Sequence, residues 1–89
     1  MKDNKYNWLW TFTYISKIWG ATKLEYITNK GKEEAFRIAQ NNMRWDASHD
    51  LRLISKKKYG PAFMDNVGKS KTKKITLQEF FDLQFQNDN

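Results

Sequence analysis

Cations crowd into one window of this chain. Residues 51–75 hold Arg52, Lys56, Lys57, Lys58, Lys69, Lys71, Lys73 and Lys74 against Asp65 alone, a net charge of +7. Residues 1–50 carry eight Lys/Arg and six Asp/Glu, a net of +2. Residues 76–89 carry only Glu79, Asp82 and Asp88, a net of −3. The chemistry that such a window supports is neutralisation of a polyanion or of an acidic protein face. Lysine gives compact point charges rather than the planar fork that reads base edges. Contacts made this way go to phosphate, weaken with salt and carry little sequence information. Tyr59 and Phe63 lie inside the window, where a ring can stack on a base. The same lysines also serve plain solubility.

No competing set of reactive side chains stands out. His49 is the lone histidine, in the run Asp46-Ala47-Ser48-His49-Asp50. Neighbours along a loop rarely converge as a Ser-His-Asp triad must. One His beside Asp46 and Asp50 falls short of the ligand count of an established metal site. A small metal-dependent nuclease using these three residues is a weaker alternative. The glycines are scattered turn residues, so a phosphate-cradling loop is absent. The chain is therefore expected to be non-catalytic, with neither cofactor nor metal.

The element that must position everything else is the stretch from Tyr6 to Ile15. Tyr6, Trp8, Trp10, Phe12 and Tyr14 alternate with Leu9, Thr11, Thr13 and Ile15. Side chains alternate across a strand, so the rings share one face. Aromatic and β-branched residues suit a pleated sheet. Trp8, Trp10, Phe12 and Tyr14 are expected to form the core beneath the helices. Tyr6, Trp19 and Trp45 fit no strong stripe and are the candidate partner-binding rings.

The remaining elements follow in order. Residues 17–22, with Gly20, read as a turn, and Lys23–Thr28 as a second strand with Leu24, Tyr26 and Thr28 on one face. A helix is predicted from Lys32 to Met43, with Glu33 and Glu34 in its first turn and Phe36, Ala39 and Met43 on one stripe. Asp46–His49 reads as loop, Leu51–Lys57 as a third strand, and Tyr59-Gly60-Pro61 as a break. Residues 62–67 read as a short helical turn ended by Gly68. Residues 68–75 read as a basic, flexible loop. Thr76-Leu77-Gln78-Glu79 matches a capping box opening a helix with Leu77, Phe80, Phe81 and Phe85 on its apolar side. The tail, residues 86–89, is expected to fray.

These elements predict a single α+β domain of β-β-α-β-α order. It is a three-stranded, largely antiparallel sheet packed with two helices, one face of the sheet forming the core. The 89 residues contain no Cys, which favours a reducing compartment, and no apolar run long enough to span a membrane. The N-terminus lacks the apolar run of a secretory signal. A cytoplasmic monomer or homodimer is expected. The small size, the absence of Cys and the Lys, Asn and Ile usage resemble proteins of AT-rich phages and mobile elements. That resemblance implies an accessory protein acting by stoichiometric binding. Two functions follow. One is binding of DNA or RNA, or of a nucleoprotein complex, through the window's cations and Tyr59. The other is a protein–protein module that inhibits a host nuclease or defence complex through exposed aromatic residues.

Overall fold

The computed structural model describes residues 6–43, 47–61 and 70–86. Six elements follow one another: β1 (Tyr6–Ser16), β2 (Gly20–Thr28), α1 (Lys32–Asn41), β3 (Ala47–Pro61), β4 (Ser70–Lys74) and α2 (Leu77–Gln86). The four strands form one antiparallel sheet in the order β3-β1-β2-β4. The α+β class holds, but the sheet has four strands rather than three.

β1 lies in the interior of the sheet, bonded on both sides. On one side Trp10 faces Tyr26 and Phe12 faces Leu24. On the other, Trp10 faces Lys56 and Phe12 faces Leu53. Residues directly opposite one another share a face. One face therefore carries Trp8, Trp10, Phe12 and Tyr14 with Leu24, Tyr26 and Thr28. Trp10 is 2 % exposed, Phe12 0 % and Tyr14 1 %. Trp8 is only partly buried and packs against this cluster. α1 covers the aromatic face with Ala35 and Ala39, both fully buried, and with Phe36, whose ring meets Phe12 edge-on at 5.3 Å between centroids. Small residues at 35 and 39 let the helix approach closely.

Gly20 turns the chain from β1 into β2. Its φ of 81° is a left-handed conformation that side chains with a Cβ rarely adopt. Ser16 Oγ accepts the Ile18 and Trp19 N–H groups at 3.2 and 2.9 Å and closes the turn. α1 then carries the chain across the aromatic face, so β3 joins β1 on the side away from β2.

α2 sits on the opposite face. The Gln84 amide donates to Thr13 Oγ1 at 2.9 Å, and the Glu79 carboxylate lies 3.7 Å from Lys23 Nζ. Thr13 and Lys23 face each other across β1 and β2, on the side away from the rings. The expectation that only one face is covered is thus corrected: Thr13 is fully buried as well. The capping box at α2 is half made. Thr76 Oγ1 accepts the Glu79 N–H at 3.0 Å, while the Glu79 carboxylate reaches sideways to Lys23.

Three further readings change. Residues 70–74 form β4, not a loop, paired in register with Thr22–Tyr26. Thr72 faces Leu24 there, and the Ile75 N–H just beyond donates to the Ala21 carbonyl at 3.0 Å. β3 extends through the supposed loop at Ala47–His49 and through Tyr59-Gly60-Pro61, because register shifts against β1 absorb the misfit. Proline is tolerated at its end because β3 is an edge strand. α1 ends at Asn41, where Asn42 caps it: its N–H donates to the Ile38 and Ala39 carbonyls, and its side-chain amide donates to the Ile38 carbonyl at 2.8 Å. The turn at 62–67, Gly68 and the tail beyond residue 86 lie outside the described residues. Among the described residues no helix is long and apolar enough to cross a membrane.

Two measurements check this packing. Phe12→Ala should cost about 3–5 kcal/mol, read from the denaturant midpoint, because it opens a cavity between the sheet and α1. A cost below about 1 kcal/mol would show that Phe12 is not enclosed. Burial pushes the Tyr26 hydroxyl above its ordinary pKa; Glu34 adds to the rise and Arg37 opposes it. Above about pH 10 the folded chain holds a proton that the unfolded chain releases, so stability falls as pH climbs past that value. Tyr26→Phe should lose less stability than the parent between pH 8 and 11. Equal losses would place the Tyr26 hydroxyl in water.

Candidate functional site

The basic window does not form one surface. Its two lysine runs are the two edge strands of the sheet. Lys56, Lys57 and Lys58 lie on β3, and Lys71, Lys73 and Lys74 on β4, with β1 and β2 between them. Three strand spacings separate the edges by roughly 14 Å. The runs are also offset along the strands, since Lys56–Lys58 face Trp8–Trp10 whereas Lys73 and Lys74 face Lys23 and Thr22. The short break between them in sequence is therefore not a bridge between them in space. Lys69 lies outside the described residues.

The two edges differ in their surroundings. On β4, Lys71 faces Glu25, an opposite-charge pair across the strands. Lys73 faces Lys23, a like-charge pair that would be unfavourable alone. Glu25 and Glu79 both approach Lys23, at 3.9 and 3.7 Å. Both carboxylates pair with Lys23 of β2; among the described residues Lys71, Lys73 and Lys74 have no carboxylate within ion-pair distance either. On β3, Arg52, Lys56, Lys57 and Lys58 are all exposed. Among the described residues none of these four has a carboxylate within ion-pair distance.

Two of the β3 lysines lie over rings instead. Lys58 Nζ stands 4.0 Å from the centroid of Tyr6. Lys56 Nζ stands 4.4 Å from the Trp8 ring and 5.1 Å from the Trp10 ring. The register explains this, for Lys56 faces Trp10, Lys58 faces Trp8, and Pro61 faces Tyr6. Each contact at such exposed positions is worth about 0.5–1 kcal/mol. Lys57 faces Leu9 and therefore projects from the other side of the sheet, as does Arg52, which faces Thr13. Tyr59 is 41 % exposed and is the extra residue where the register shifts between Lys58 and Gly60.

The candidate partner rings do not converge either. Tyr6, 38 % exposed, and Trp19, half-buried in the β1–β2 turn, sit at opposite ends of β1, roughly 30 Å apart. Trp45 lies outside the described residues. The larger apolar exposure was missed by the sequence reading. Leu77, Phe81 and Phe85, at i, i+4 and i+8 of α2, are 64 %, 52 % and 70 % exposed. The sequence places them, with Phe80, on the apolar side of an amphipathic helix packed on the sheet. The helix is instead held by Gln84 and Glu79 against a mixed face, where Thr11, Thr13, Lys23 and Glu25 interrupt Leu9, Ile15 and Ile27, and the stripe of Leu77, Phe81 and Phe85 is turned outward. The polar residues among the odd positions of β1 and β2 were the signal available in the sequence.

A cleft of about 410 Å³ opens between α2 and the sheet, lined by Ile15, Arg52, Phe80 and Gln84. Among the described residues that line it there is no carboxylate, histidine or hydroxyl to act as an acid, base or nucleophile. Asp46 lies outside the described residues, while the backbone at His49 and Asp50 belongs to β3. Among the described residues no group of three His, Cys, Asp or Glu is placed to hold a metal ion. No protein-family model, curated protein or solved structure matches this chain.

Proposed function

We propose that this chain is a non-catalytic binding protein that engages the phosphates of nucleic acid, alone or in a nucleoprotein complex, along its β3 edge. The observation that carries this reading is the group Arg52, Lys56, Lys57 and Lys58. All four are exposed on one edge strand, without a carboxylate in ion-pair reach among the described residues. β4 is the weaker contributor, since among the described residues none of its lysines stands over a ring as Lys56 and Lys58 do, and Lys71 and Lys73 lie on the side of the sheet where Glu25 and Glu79 approach Lys23. A chain free of Cys suits the reducing cytoplasm, where such a partner is available. Its composition is in keeping with a phage or mobile-element accessory protein.

A second reading has its own observation. Leu77, Phe81 and Phe85 form an exposed apolar stripe on α2, the kind of surface a protein–protein module uses at the centre of its contact. A stoichiometric inhibitor of a host nuclease or defence complex would dock there, with Lys71 and Lys73 on the same side of the sheet contributing at the rim. A partner retained at a fixed ratio after nuclease treatment, and lost with Phe81→Asp, favours this reading. Loss of the partner on nuclease treatment returns the case to nucleic acid.

The salt dependence of binding tests the first reading. Affinity for an oligonucleotide should fall steeply as salt rises. Replacing Lys56, Lys57 and Lys58 together with Ala should reduce the slope of log K against log salt by about 2–3, roughly one for each phosphate contact removed. The same change at Lys71, Lys73 and Lys74 should reduce it by less. Absent or salt-indifferent binding would remove this reading, and a larger effect at β4 would relocate the contact.

A further inference from the structure

We propose that the nucleic acid taken at the β3 edge is single-stranded, with successive bases stacking on Tyr6 and Trp8. This rests on the phosphate-contact reading above and goes beyond it by naming the strand state and the rings.

The geometry behind it is a ladder on one face of the sheet. Tyr6, Trp8 and Trp10 project from alternate positions of β1, about 6.8 Å per step. Lys58 and Lys56 stand beside them on β3, their ammonium groups 4.0 Å from the Tyr6 centroid and 4.4 Å from the Trp8 ring. Exposure falls along the ladder. Tyr6 is 38 % exposed, Trp8 half-buried and Trp10 2 % exposed. Tyr6 and Trp8 thus form an open end of the aromatic face, and Trp10 marks where the core begins. Cation and ring alternate across neighbouring strands at the interval at which an extended strand presents phosphate and base.

A duplex cannot use this arrangement, because its base faces are occupied by their own neighbours. An unstacked strand offers a π-face at every nucleotide, whatever its sequence. The ammonium groups now over the rings are on flexible four-carbon stems. When a base settles on Tyr6 or Trp8, Lys58 and Lys56 swing outward and meet the flanking phosphates. A base stacked on a ring contributes more than an exposed ammonium above it, so the exchange runs toward binding.

The test compares a mixed-sequence single-stranded oligonucleotide with the same sequence as a duplex, at equal low salt, by quenching of Trp fluorescence. The single strand should bind at least about tenfold more tightly. Tyr6→Leu should weaken single-strand binding by about tenfold without changing the salt slope. Tyr6→Phe keeps the ring and should bind as the parent does. Because Tyr6 lies at the open end of β1, these variants should keep the parental circular dichroism. Duplex binding equal to or tighter than single-strand binding, or no effect of Tyr6→Leu, overturns the proposal while leaving phosphate contact intact. Failure of both forms to bind removes the phosphate reading and this one with it.

Discussion

The structure depends on one strand serving two different faces. β1 is hydrogen-bonded to β2 on one side and β3 on the other, so most of its backbone register is specified twice. Its even positions bury large rings beneath α1, and its odd positions place Thr13 beneath α2. A slip of one residue would exchange the two sets and put the rings on the face that α2 covers. The apolar face supplies the burial energy, because each enclosed ring removes about 150–250 Å² from water. The other face is seated by polar contacts such as Gln84 with Thr13 and Glu79 with Lys23, which contribute less. This inequality explains why α2 keeps Leu77, Phe81 and Phe85 turned to solvent.

The same order of strands decides where the charge goes. The described lysines of residues 51–75 fall on β3 and β4, which are the two edges, and the interior strands carry few charges. Lysine on an exposed edge discourages another chain from adding a strand, so part of this pattern serves to keep the sheet four strands wide. That role requires only that each edge be charged. It does not require the β3 ammonium groups to stand over Tyr6 and Trp8, which among the described residues no β4 ammonium group does. That contrast between the edges is what the proposed contact at β3 rests on.

Much of the architecture was legible in the residues, and the exceptions have physical causes. The alternation of rings in β1, the Leu24/Tyr26/Thr28 face of β2 and the Phe36/Ala39 stripe of α1 are all periodic, and each lies where its period places it. β4 was unreadable because Ser70–Lys74 has no apolar alternation; its pairing with β2 supplies what propensity does not. β3 ran through Gly60 and Pro61 because an edge strand with register shifts tolerates residues that would break an interior one. The candidate site was half legible. Lys56–Lys58 and Tyr6 come together, though they are about fifty residues apart in sequence, and nothing local announces that. Lys71–Lys74 lie across the sheet from them although the two runs are close in sequence, since closeness in sequence says little about which edge a strand joins.

Through-space contacts between backbone protons in solution test the strand order most directly. The account predicts contacts between Leu24 and Thr72 and between Trp10 and Lys56, with none joining residues 56–58 to residues 71–74. Contacts between those two lysine runs would contradict it, because they would put β3 beside β4 and merge the edges on which the separate surfaces depend.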